Sequence, residues 1–238
     1  MFIKEITIHW DDPAIERYVR DLQGLNKVNK LCFEKNIVLF AGENGTGKST
    51  LLEAMAIASG FNPEGGTINY SFSTYDDHSH LYEGLTITRY GSKPSFGYFL
   101  RAESFYNLAT KEEEYSRGPN GKPQYLHQQS HGESFLNFIL NYNGQGLYFL
   151  DEPEAALSPQ RQLSLLLHIS EMAEQGSQFF IATHSPLLLG IPDAEILSFS
   201  SEGIKKCRYE DTESYQITSM FINDRERLLK YLFEKQEN

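Results

Sequence analysis

The sequence predicts an α/β fold in a single domain over residues 1–238. It has a mostly parallel central sheet flanked by helices, with an antiparallel β portion and a small helical excursion. Three apolar runs carry this reading, at residues 37–41, 147–150 and 178–183. Each is continuous rather than alternating, as a strand buried on both faces requires. Each also ends in glycine or in polar residues, at the edge where open α/β sheets bind ligands.

The elements follow in order. Residues 2–10 alternate apolar and polar side chains, so they read as an antiparallel strand with one wet face. Residues 33–41 form the next strand. Ser49 begins a helix in which Leu51, Leu52, Met55 and Ala58 recur at helical spacing, until Gly60 and Pro63 end it. An excursion over about residues 61–143 holds strands at 85–90 and 96–100 and many of the aromatic residues, where β-hairpins are expected. It also holds a polar loop at 106–129 and a helix at 133–142. After the strand at 147–150, Pro153 turns the chain away. A last core strand falls within 191–199. Leu228, Leu229, Leu232 and Phe233 predict a short amphipathic helix packing back onto the domain.

The segment Gly42-Glu43-Asn44-Gly45-Thr46-Gly47-Lys48-Ser49 has the spacing G-x-x-x-x-G-K-[ST] and sits at a strand-to-helix turn. Gly42, Gly45 and Gly47 let the backbone curl so that successive N–H groups face one anion. The following helix adds its positive end to the same spot. The candidate nucleotide contacts are therefore Glu43, Asn44, Gly45, Thr46, Gly47, Lys48, Ser49 and Thr50. Lys48 would reach the β- and γ-phosphates and the Ser49 hydroxyl would ligate Mg²⁺. Asp151 and Glu152 emerge from the end of a buried strand. Asp151 suits a second Mg²⁺ ligand, and Glu152, one step further, suits the orientation or deprotonation of water. His184, at the tip of the strand at 178–183, falls on the same rim. There it could hydrogen-bond a γ-phosphate oxygen and the attacking water.

The order Gly42 to Ser49, then Ser130-His131-Gly132-Glu133, then Leu150-Asp151-Glu152-Pro153, then Ala155-Ala156-Leu157-Ser158, then Thr183-His184 resembles an ABC-type ATPase of the P-loop NTPase class. In that family these are the Walker A loop, signature motif, Walker B strand, D-loop and switch histidine. Asn44 is similar to the chromosome-maintenance and recombination-repair branch. The Ser-His-Gly-Glu and Thr-His-Ser-Pro variants resemble small stand-alone bacterial predicted ATPases. The resemblance covers residues 30–200. It implies ATP and Mg²⁺ as ligands, with catalytic roles for Glu152 and His184. It also implies that Ser130 and Gly132 meet the nucleotide of an opposing subunit in an ATP-dependent homodimer, while His131 between them either adds positive charge at that nucleotide at low pH or is an exposed spacer. Glu133 either caps its helix or contacts the nucleotide sugar. At the family's glutamine loop this chain has no glutamine, and Arg101 or Glu103 takes the place. Trp10, Tyr18 and Phe33 are candidate adenine-stacking aromatics. The interval between Lys48 and Asp151 is too short for coiled-coil arms and shows no heptads.

Composition bounds the remaining possibilities. No apolar run approaches the ~18 residues of a membrane span, and the N-terminus has no signal-peptide pattern. A soluble, cytoplasmic chain without membrane insertion is expected. Its two cysteines, Cys32 and Cys207, make no metal cluster or disulfide framework. A net charge of −11 argues against a broad nucleic-acid footprint. Small basic groups at Lys111, Arg117 and Lys122, or at Lys205, Lys206 and Arg208, are candidates for a local groove and read more simply as solvated surface. His78 and His80 beside Asp76 and Asp77 read as a solvated loop rather than a metal site. The leading expectation is a stand-alone Mg-dependent ATPase that dimerises around two ATP molecules. The alternatives are the ATP-binding subunit of a membrane transporter, or a nucleotide-gated module in DNA repair or anti-phage defence acting with a nuclease partner.

Overall fold

A computed structural model describes residues 1–68, 78–91, 93–101, 145–155 and 157–234. The chain opens with strand β1 (Ile3–Ile8), helix α1 (Arg17–Arg20), strand β2 (Lys30–Cys32), strand β3 (Ile37–Gly42) and helix α2 (Lys48–Ser59). Strands β4 (Gly66–Thr67), β5 (Leu85–Arg89), β6 (Gly97–Arg101) and β7 (Leu147–Asp151) follow. Helix α3 (Pro159–Glu174), strand β8 (Gln178–Ala182), helix α4 (Pro186–Leu189) and strands β9 (Glu195–Ser200) and β10 (Gly203–Cys207) come next. Helices α5 (Glu213–Asn223) and α6 (Arg225–Glu234) complete the described chain.

The strands form two sheets. The larger has the order β10-β9-β3-β8-β7-β6-β4, parallel from β9 through β6 and antiparallel at both edges. The smaller, β2-β1-β5, is antiparallel throughout. A register shift between Ile3 and Glu5 lets both Ile3 and Ile6 face inward, although they are three residues apart.

Each central parallel strand feeds both faces of the large sheet, which is why its run is continuously apolar. Val38, Phe40, Leu147, Phe149 and Phe180 pack on one side. Ile37, Leu39, Tyr148, Leu150 and Phe179 pack on the other. On the first side α2 lies between the two sheets and is buried on nearly every face, as a helix apolar all round must be. The second side is covered by α3 through Leu165, Ile169, Met172 and Ala173. Gln178 ties the sheets together: its carbonyl accepts from Phe2 N and Ile3 N at 2.7 Å each, and its amide donates to Ile3 O at 2.9 Å.

Several expectations change. The strands at 85–89 and 97–101 do not pair as a hairpin. The first joins β1 in the small sheet, and the second is a parallel member of the large one. The aromatic residues there and in β7 serve sheet packing instead. Tyr148 stacks on its register partner Phe179 at 4.7 Å, and Phe149 on Phe180 at 5.4 Å. The C-terminal amphipathic pattern forms a helix in which Leu228 and Leu229 are half-buried, while Tyr231 is 56% exposed and Phe233 65%. The polar loop at 106–129 and the helix at 133–142 lie outside the described residues. Among the described residues no helix is long and apolar enough to cross a membrane.

Candidate functional site

Parallel pairing brings the C-terminal ends of β3, β7 and β8 to one edge, with Phe40 in register with Ala182 and Ala182 with Asp151. The loop after β3 starts at Gly42, whose φ of +136° only glycine adopts with ease, and where a Cβ would sit 2.3 Å from Phe199 O. Gly47, left-handed at φ 93°, is the N-cap of α2. Lys48 folds back over the loop, donating to Gly42 O at 2.7 Å and Glu43 O at 2.8 Å. Thr46 Oγ1 donates to Glu43 O at 2.8 Å. Burial pulls the Lys48 ammonium below its ordinary pKa, and the carboxylates of Glu152, Asp151 and Glu154 oppose that pull.

Ser49 and Asp151 meet directly. Ser49 Oγ donates to Asp151 Oδ1 at 2.8 Å, which joins two motifs 102 residues apart in sequence. Desolvation pushes the Asp151 carboxyl up to about 6; the Ser49 hydrogen bond and Arg101 oppose that, while Glu152 and Glu53 add to it. Glu152 has a positive φ of 46°, an uncommon conformation for a non-glycine residue. Its N–H still donates to Ala182 O at 2.9 Å, so β7 and β8 stay locked while its side chain turns out. His184 Nε2 lies 3.8 Å from Glu152 Oε1, beyond hydrogen-bond length. That nitrogen is shielded and has no hydrogen-bond partner among the described residues.

The donor set fits Mg²⁺. Ser49 Oγ and Asp151 Oδ1 are hard oxygen donors, and Mg²⁺ is commonly held by one or two protein oxygens together with phosphate oxygens and waters. Among the described residues no cluster of three His, Cys, Asp or Glu forms an all-protein metal cage. His80 instead pairs with Glu16 through Nδ1.

A cleft of about 920 Å³ opens beside the loop, lined by Glu43–Thr46, His184, Leu22, Phe199, Thr212 and Ile217 among others. Trp10, Tyr18 and Phe33 do not line it. Phe33 is buried in the core, and the Trp10 indole donates to Val28 O. The apolar walls of the cleft include Leu22, Phe199 and Ile217, of which Phe199 is aromatic. At the glutamine-loop position Arg101 is the register partner of Asp151 and forms an ion pair with Glu53 of α2. Glu103 and the segment Ser130, His131, Gly132 and Glu133 lie outside the described residues, as do Lys111, Arg117 and Lys122. The other basic group is neutralised locally: Lys205 pairs with Glu202, Lys206 with Glu34 and Glu195, and Arg208 with Asp211.

Two family models match parts of the chain. One, an "AAA domain", covers residues 21–92. The other, an "AAA domain, putative AbiEii toxin, Type IV TA system", covers residues 120–190. These matches cover the phosphate loop and the carboxylate edge in turn. The fold is α/β with a mostly parallel sheet, and both matched models are of AAA domains. Solved structures similar to this chain include an ATP-binding cassette of an ABC transporter in its ADP conformation. That match is 16% identical with a TM-score of 0.45, covering 98% of this chain and 99% of the other. Another is the SMC head domain from Thermotoga maritima, 13% identical with a TM-score of 0.44, covering 87% of this chain and 99% of the other. No curated protein matches the sequence significantly.

Proposed function

We propose that the chain binds ATP and hydrolyses it with Mg²⁺, and that two copies close around two nucleotides to do so. The observation that carries this is the Ser49–Asp151 hydrogen bond at the edge where Glu152 and His184 also converge. Ser49 and Asp151 would hold Mg²⁺, which when bound neutralises charge on the phosphates. Lys48 and the N–H groups of residues 43–50 bind the phosphate chain. The sugar and base extend into the cleft beside Leu22 and Phe199. Glu152, partly exposed at the end of β7, takes the proton of the attacking water. His184 Nε2 holds that water or a γ-phosphate oxygen. Ser130, His131 and Gly132 of the second copy complete the site.

The Glu152→Gln variant is the test of pairing. It keeps the hydrogen-bonding shape but loses the base, so ATP and Mg²⁺ should convert it from monomer to dimer, read as mass by light scattering. A variant that stays monomeric with ATP bound overturns the paired site. The description of the family matched over 120–190 favours a second reading, in which closure signals to a protein partner in defence rather than driving work itself. Turnover that responds to a purified nuclease and not to DNA would support it.

A further inference from the structure

Beyond β8 the sheet ladder ends with Thr183 N donating to Phe40 O at 3.2 Å. The next two N–H groups, of His184 and Ser185, have no strand to pair with, and buried backbone donors need partners. Both go to one atom. Glu154 Oε1 accepts from His184 N at 2.7 Å, from Ser185 N at 3.0 Å and from Thr183 Oγ1 at 2.7 Å. These are charge-assisted bonds, shorter and stronger than neutral ones. Ser185 N also reaches Thr183 Oγ1 at 3.0 Å, so the three residues form one knot around the carboxylate.

Glu154 is itself fixed. Pro153 constrains the turn that follows β7, Ala155 N donates to Glu152 O at 3.0 Å, and Leu157 N donates to Glu154 O at 2.9 Å. A second tie runs in parallel: Ser185 Oγ donates to Gln162 Oε1 at 2.6 Å, and Gln162 Nε2 donates to Leu157 O at 3.1 Å. The backbone of His184 is therefore held by the segment that begins at Glu152, the residue its imidazole faces.

We propose that Glu154 is a positioning residue that sets where the His184 imidazole stands relative to Glu152. It touches no phosphate and takes no proton; it acts through the backbone of residues 183–185. The proposal rests on the hydrolytic reading of the edge for its effect on turnover, but the positioning itself can be read without ATP. Placement errors of about 1 Å at a reacting centre cost as much as about 100-fold in rate.

Amide hydrogen exchange and kinetics on Glu154→Ala and Glu154→Gln test it. In the parent chain the His184 and Ser185 amides should exchange slowly. In Glu154→Ala they should exchange at least about tenfold faster, while amides in β3 and β8 stay unchanged. The Glu154→Gln carbonyl still accepts, so it should restore most of the protection. In parallel, Glu154→Ala should lower kcat about 10- to 100-fold with KM for ATP within about threefold, and Glu154→Gln should recover most of the rate. Unchanged protection at His184, or faster exchange spread equally over β3 and β8, overturns the proposal. So does a kcat in Glu154→Ala equal to that of a parent chain that turns over ATP. A parent chain with no turnover refutes the hydrolytic reading instead, and the exchange at His184 still decides the role of Glu154.

Discussion

The loop after β3 and the loop after β8 arrive at the same edge but are held by different means. The first holds itself: glycine conformations shape it, and Lys48 bonds carbonyls only five and six residues back. The second is held from outside, by a carboxylate 30 residues earlier in the chain. A self-supporting loop needs its residues at fixed spacing, so it is written as a motif. A loop supported from elsewhere leaves only a histidine and a distant glutamate.

The largest break in this comparison is expected at Lys48. Lys48→Ala removes the ammonium that closes the first loop and would face the phosphates. ATP affinity should fall about 100-fold or more by calorimetry, whereas changes at the second loop should leave it nearly intact. Retained tight binding would count against the phosphate-loop assignment. Next comes Gly42→Ala, which forces a side chain into a positive-φ position against the main chain of β9. A loss of about 3 kcal/mol in urea unfolding is expected. A loss under about 0.5 kcal/mol would mean that the loop is not strained into shape.

The most gradual effect is the pH dependence of Asp151, whose carboxyl stands at about 6 against an ordinary 3.8. A raised carboxyl favours the folded state while it keeps its proton. That contribution is full below the ordinary value and is lost as the pH rises through about 6. In metal-free protein this group should therefore lower Tm as pH climbs from about 4 to about 6. Binding of Mg²⁺ with ATP requires the carboxylate, so its affinity should rise up to tenfold per pH unit over that window and then level off. Asp151→Asn should flatten both profiles. An identical Tm profile in that variant would remove the burial argument.

Much of the fold was legible because parallel strands buried on both faces announce themselves as apolar runs. The runs at 37–41, 147–150 and 178–183 became β3, β7 and β8. Lys48 and Ser49 stood out through the spacing of the glycine loop, and Asp151, Glu152 and His184 because each stands where a run ends. Helix α3 was harder to see because Leu163 and Leu167 are exposed and blur the stripe made by Leu165, Ile169 and Met172. Strand β10 is short and only one residue of it is buried. Glu154 was hidden because its partners are mainly backbone N–H groups, which leave no trace in residue type. Helix α6 is the opposite case: its apolar spacing is real, yet Leu232 is 50% exposed and Phe233 65%. Periodicity reports that a face is apolar, not what it packs against.

The most direct measurement is steady-state release of phosphate from ATP by the parent chain and by Glu152→Gln, with Mg²⁺ present and with it chelated. A Mg²⁺-dependent parent rate that falls about 100- to 1000-fold in Glu152→Gln, with ATP still bound, is the expected result. A parent rate that is absent, indifferent to Mg²⁺ or unchanged in Glu152→Gln would contradict the site built from Lys48, Ser49, Asp151 and Glu152.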